Sequence, residues 1–148
     1  MHEVNLMAVW IEEELYLKIR GVMPIPVVDA ITTHKEKLLL MLRNNPPLKD
    51  VWWVPGGRIM RGEFLEEAVL RKLREETGLE GRIIRKVGVI NHIFSEVHII
   101  SIFFNVEAED DKVQLDEEHR AYKWVSKLPK NSHPYLKRMV VQALGNGF

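Results

Sequence analysis

The sequence predicts an α/β (α+β) sandwich on a mixed sheet, and three observations carry that expectation. Short β-branched and aliphatic runs are cut off by glycines and prolines, as strands are. Other segments repeat apolar residues at helical spacing between capping signals. The 148 residues contain no repeat, low-complexity segment or composition break. That length suits a single domain, 1–148, burying roughly 70% of the surface its unfolded chain would expose.

Each element follows in order. In "AVWIEEELYLKIR" (8–20), Val9, Ile11, Leu15, Leu17 and Ile19 surround a glutamate cluster, which predicts a short N-terminal helix. "PIPVVDAITT" (24–33) is a β-branched run bounded by prolines and reads as a strand. "HKEK" is a polar turn, and "LLLMLR" (38–43) returns as the second strand of a hairpin. "NNPPLKD" (44–50) is a loop by its Asn and Pro content, and "VWWV" (51–54) a short aromatic strand. After the Pro55-Gly56-Gly57 turn, Leu65, Val69, Leu70 and Leu73 recur at helical spacing over 64–77, with Gly78 where a C-terminal cap belongs. Strands follow at 81–94 and 98–108, an acidic loop at 109–120, and a last strand at 121–125. A C-terminal helix over 132–144 ends at Gly145. The pattern is a mixed sheet flanked by about three helices.

Composition narrows function. Lys+Arg and Asp+Glu number 21 each, so no whole-molecule basic field favours nucleic acid or an anionic membrane. The absence of cysteine excludes disulfides, thiolate metal sites and cysteine nucleophiles. The first twenty residues carry acids where a secretory signal needs a basic flank. No apolar run approaches the ~20 residues that cross a bilayer. The expectation is a cytoplasmic protein acting on a small molecule.

The segment "VPGGRIMRGEFLEEAVLRKLREETGLE" (54–80) carries the chemistry. On a helix, Lys72, Glu75, Glu76 and Leu79 share a face. Taken alone this is a solvated surface with Glu67–Arg71, Arg71–Glu75 and Lys72–Glu76 ion pairs, each worth ~0.2–0.5 kcal/mol. The loop before it adds Gly56 and Gly57, which let backbone approach a ligand, then Gly62 and Glu63. Oxygen donors gathered this way suit Mg²⁺ or Mn²⁺. Two carboxylates ~5 Å apart at a dielectric of ~20 repel by about 3 kcal/mol, and a divalent ion reverses that sign.

The spacing resembles the Nudix box, G-x5-E-x7-R-E-U-x-E-E-x-G-U with U apolar. Gly57, Glu63, Arg71, Leu73, Glu75, Glu76, Gly78 and Leu79 fall in register. The glutamate expected after the arginine is Lys72. The resemblance implies the Nudix α/β/α sandwich with a mixed sheet and divalent-cation-dependent hydrolysis of a nucleoside diphosphate linked to another group. An ammonium can neither bind a metal nor accept a proton at its ordinary pKa. A lysine at this position therefore implies one metal and a base from elsewhere.

"LDEEHRAYKWV" (115–125) and "LLLMLRNNPPLKDVWWVPGGR" (38–58) are similar to segments of the GDP-mannose mannosyl hydrolases, a Nudix branch that also lacks the box glutamate. That likeness implies His119 as general base and Mg²⁺ (or Mn²⁺) held by the Gly56 carbonyl, Glu76 and Glu118. It implies Arg43, Arg58 and Arg71 on the leaving diphosphate, Asp29 and His92 around the sugar, and a homodimer. The reaction is water attack at the anomeric carbon, with GDP leaving. Two departures stand out: Ile99 replaces an expected tyrosine, and Glu75 is present where the branch can lack its glutamate. Two rivals follow: a pyrophosphatase attacking phosphorus in a nucleotide sugar, ADP-ribose or nucleoside triphosphate, with Glu75 as a metal ligand, and a binding module disabled by Lys72.

Overall fold

The computed structural model describes residues 11–148. Helix α1 (Glu13–Val22) leads to the strands β1 (Ile25–His34), β2 (Lys37–Arg43), β3 (Trp52–Trp53) and β4 (Gly56–Arg58). Helix α2 (Leu65–Thr77), the long strands β5 (Gly81–Ile93) and β6 (His98–Ala108), strand β7 (His119–Val125) and helix α3 (Pro134–Leu144) complete the chain. Residues 8–10 of the expected N-terminal helix lie outside the described residues. No described helix is long and apolar enough to cross a membrane.

One mixed sheet runs β3-β2-β1-β6-β5, with β4 on β1 and β7 on β2. Among the described residues only β1 and β6 pair in parallel. Side-chain alternation explains the continuous apolar run of β2. Leu39 and Met41 join Val28, Ala30, Phe104 and Val106 beneath Val69 and Leu73 of α2. Leu38 and Leu40 join Ile31, Trp53 and Phe103 beneath Leu136, Met139 and Val140 of α3. A sheet covered on both faces needs apolar residues at every position. The β1–β2 turn places Lys35 and Glu36 at φ 48° and 65°, the left-handed pair of a two-residue hairpin.

Strand β4 corrects the reading of 55–57 as a plain turn. Gly56 and Gly57 pair with Asp29 and Val28 of β1, a contact that glycine propensity gave no reason to expect. His119, expected on the acidic loop, is the first residue of β7, opposite Arg43, with Arg120 as the extra residue of a bulge in β7. Helix α2 starts after Glu63, whose carboxylate accepts from the Met60 N–H and from Arg71 and so braces the preceding loop instead of capping the helix. The Glu67 carboxylate accepts from the Phe64 N–H at 2.8 Å, half of a capping box that a phenyl ring cannot reciprocate. Gly78 closes the helix in the left-handed conformation at φ 72°.

The two glycines of β4 differ in what fills their missing side-chain space. A Cβ at Gly56 would collide with the Val28 carbonyl oxygen and Asp29 Oδ1, whereas one at Gly57 would meet only the flexible end of Lys72. Gly56→Ala should therefore cost about 2–3 kcal/mol of stability in urea unfolding, and Gly57→Ala less than about 1 kcal/mol. Equal costs would mean that the Gly56–Asp29 approach is not tight.

Candidate active site

A cavity of about 290 Å³ opens where β1, β4 and α2 meet the loop after β2. Its size lies close to the lower end of small-molecule sites. Of the residues expected at the site, Asp29, Arg43, Gly56, Arg58, Arg71, His92 and Glu118 line it together with Lys72. Glu75, Glu76 and His119 stand off its wall.

Glu76 is 1% exposed, and one carboxylate oxygen accepts from the Gly56 N–H at 2.9 Å. Burial pushes its pKa up to about 8; the Asp116 and Glu118 charges add to the rise, and Lys72 and the Gly56 bond oppose it. Lys72 reaches Glu75 Oε2 at 3.2 Å and Glu76 Oε2 at 3.7 Å, its stem lying over Gly57. The cation among the glutamates thus offsets part of a buried negative charge.

Glu76, Asp116 and His119 each offer a ligand atom, all within 4.8 Å of one another. His119 is buried, and its Nδ1 lies 2.8 Å from Asp116 Oδ1. Two carboxylates and an imidazole fit a divalent cation, with the nitrogen favouring Mn²⁺ over Mg²⁺. Two of the expected metal ligands lie outside this grouping. Glu118 stays on the cavity wall, outside the group. Glu75, 42% exposed, is taken by Arg71 and Lys72, which hold its pKa below the usual carboxylate range against the opposing effect of burial.

The arginines divide by what holds them. Arg71 gives Nε to Glu63, Nη1 to Glu75, and Nη2 to Glu63 and the Arg58 carbonyl, so most of its donors are spent within the protein. Glu67, expected to pair with Arg71, instead serves Phe64 through the bond already described. Arg43 Nε donates to the Pro47 carbonyl at 2.9 Å, fixing the 44–50 loop at the cavity edge. Arg58 lies 4.0 Å from the centre of the Tyr16 ring.

Asp29 is buried in the cavity wall, with Ser101 Oγ donating to it. Burial pushes its pKa up to about 6 against the Ser101 and Trp53 bonds and the charge of Arg43. Ser101 is brought alongside Asp29 by the parallel β1–β6 pairing. His92 is 2% exposed, and among the described residues neither ring nitrogen has an aligned hydrogen-bond partner. Burial, then the nearby His133, lowers its pKa to about 4, so it is a neutral imidazole. Trp53 and Tyr135 pack around it, with ring centres 5.5 and 4.7 Å away. Ile99 lines the same wall.

Sequence reasoning missed Ser101, Asp116 and Tyr16. Asp116 could have been found from its position three residues before His119. Ser101 and Tyr16 gave no local signal.

Above about pH 7 the low-pKa histidines and Asp29 have released their protons, and Glu76 is the buried carboxylate still titrating. Its folded pKa exceeds its unfolded one, so its contribution to stability is complete below the ordinary carboxylate range and is lost as pH rises through about 8. The melting temperature of the metal-free protein should fall by a few degrees from about pH 7 to about pH 9. Added Mg²⁺ should raise it more at the higher pH. A metal-induced shift equal at both pH values would remove Glu76 as the binding carboxylate.

A NUDIX domain model matches residues 23–128. The chain is 31% identical over 123 residues to the low-salt glycan biosynthesis protein Agl8 of Haloferax volcanii, covering 78% of this chain and 79% of that protein. It is 32% identical over 118 residues to an ADP-ribose pyrophosphatase of Methanocaldococcus jannaschii, covering 77% and 70%. In structure it is similar to a MutT NUDIX hydrolase from Burkholderia pseudomallei, with a TM-score of 0.73, 24% identity and coverage of 81% and 98%. The NUDIX domain of Shewanella oneidensis NrtR, solved with ADP ribose, superposes with a TM-score of 0.69 at 23% identity, over 89% and 96%. The matched span contains β4, α2 and the Glu76–Asp116–His119 group, and the chain belongs to the Nudix family.

Proposed function

We propose that this protein is a divalent-cation-dependent hydrolase of a GDP-sugar, GDP-mannose or GDP-glucose, cleaved at the anomeric carbon to GDP and free sugar. The observation that carries the reading is a cavity lined by the cations Arg43, Arg58, Arg71 and Lys72 and also by Asp29 and the imidazole of His92, whose nitrogens have no aligned hydrogen-bond partner among the described residues. A buried imidazole without partners costs free energy until a ligand hydroxyl meets it. A diphosphate joined to a neutral polyhydroxy group suits the cations together with the hydrogen-bonding groups of Asp29 and His92. The name of the Haloferax relative, low-salt glycan biosynthesis protein, sits well with a sugar-bearing substrate.

On this reading Glu76 and Asp116 hold Mg²⁺ or Mn²⁺, with the Gly56 carbonyl and Glu118 as further donors. The ion supplies positive charge to the leaving diphosphate. Arg43 and Arg58 bind phosphate oxygens, and Arg71 positions Arg58 through its carbonyl. His119, oriented by Asp116, takes the proton of the attacking water. The new carbon–oxygen bond forms as the old one breaks, and GDP keeps the bonding electron pair.

A second reading, pyrophosphatase chemistry at phosphorus, draws on the Methanocaldococcus relative's name. The ion pairs of Glu75 count against its use as a second metal ligand. Hydrolysis of GDP-mannose with Mg²⁺ in ¹⁸O-water should place label in the free mannose and none in GDP. Label in phosphate, or GMP with mannose 1-phosphate, would favour the second reading. Tight nucleotide binding without any product would favour a binding module. His119→Gln should lower turnover at least ~100-fold, as loss of a general base does; a near-full rate would place the base elsewhere. The reading includes a homodimer, which light scattering would check.

A further inference from the structure

Lys72 stands between the metal-binding group and the cavity. Its side chain, 14% exposed, lines the cavity with Arg43 and Arg71, and its ammonium lies 3.7 Å from Glu76 Oε2. That carboxylate is one of the three donors, with Asp116 and His119, that fit a divalent cation. The ammonium donates to Glu75 at 3.2 Å, whereas its contact with Glu76 is an ion pair without a hydrogen bond. The lysine stem lies over Gly57, which has no side chain to hinder its movement.

A divalent ion and an ammonium at the same carboxylate repel each other twice as strongly as two unit charges at that separation. Glu75, the other partner of the ammonium, is already paired with Arg71. A bare ion therefore gains Glu76 only against the charge of the lysine. A diphosphate changes the balance, because its oxygens can meet both cations at once. A compact charge on a flexible four-carbon stem suits a transfer from carboxylate to phosphate.

We propose that Lys72 makes metal loading conditional on the diphosphate. Without ligand, the ammonium is the counter-ion of Glu76 and weakens capture of a bare divalent ion. When a nucleoside diphosphate enters, Lys72 passes to its phosphate oxygens and leaves Glu76 to the ion. The two ligands thus bind with positive coupling, each raising the affinity for the other by the same factor. The proposal rests on the reading of the cavity as a diphosphate site and of Glu76 as a metal-binding carboxylate, and is independent of which bond is cleaved.

The test measures binding to the full chain at one pH. Bare Mn²⁺ is followed by electron paramagnetic resonance of the free ion, and GDP by calorimetry with and without Mn²⁺. Lys72→Met and Lys72→Gln, two neutral replacements, should each bind bare Mn²⁺ at least ~10-fold tighter than the wild type. The factor by which Mn²⁺ raises GDP affinity should exceed ~10 in the wild type and be at least ~5-fold smaller in both variants. Lys72→Arg, which keeps the charge, should stay within ~3-fold of the wild type in both measurements. Neutral variants that bind bare Mn²⁺ no tighter than the wild type, or that keep its coupling factor, would overturn the proposal. GDP binding by the wild type in that same experiment would leave the diphosphate reading standing. A wild-type protein that binds GDP neither with nor without Mn²⁺ would remove the diphosphate reading, and conditional loading with it.

Discussion

The arrangement of the site depends on one buried carboxylate. Glu76 belongs to α2, and its bond to the Gly56 N–H ties that helix to the short strand bordering the cavity. A carboxylate this deep is costly unless charge or protons compensate it. Lys72, the proton favoured by its raised pKa, and a divalent ion are three ways to meet that cost, and only the last is also chemistry. The Gly56 amide, the Lys72 ammonium and the Asp116–His119 pair all converge on this carboxylate.

A second set of interactions builds the frame. Arg71 joins Glu63, Glu75 and the Arg58 carbonyl, so the loop of residues 58–63 is held against α2 without any ligand. Arg43 does the same for the loop after β2 through the Pro47 carbonyl. Such preorganisation means that binding energy need not be spent on ordering backbone. These arginines act chiefly as braces.

Much of this was legible in the sequence, and the reason is local. Period-2 and period-3.6 patterning marked the strands and helices, Gly78 and Gly145 marked helix ends, and the box spacing located Glu76 and Arg71 before any fold was known. What could not be read depended on contacts between distant segments. Ser101 reaches Asp29 only because β1 and β6 run parallel, a pairing that no local pattern encodes. Pairing of Gly56 and Gly57 with β1 runs against glycine propensity and is imposed by tertiary structure. His119 reads as a loop residue until the bulge at Arg120 draws it into β7.

The lysine stem lying over Gly57 links two positions fifteen residues apart in the chain. The glycine here leaves room for a neighbour's hydrocarbon chain as well as for any ligand. A relative carrying glutamate at position 72 would lack two methylenes over this backbone, and water could enter the gap beside Glu76. One codon thus governs both the local charge and the dryness of the buried carboxylate.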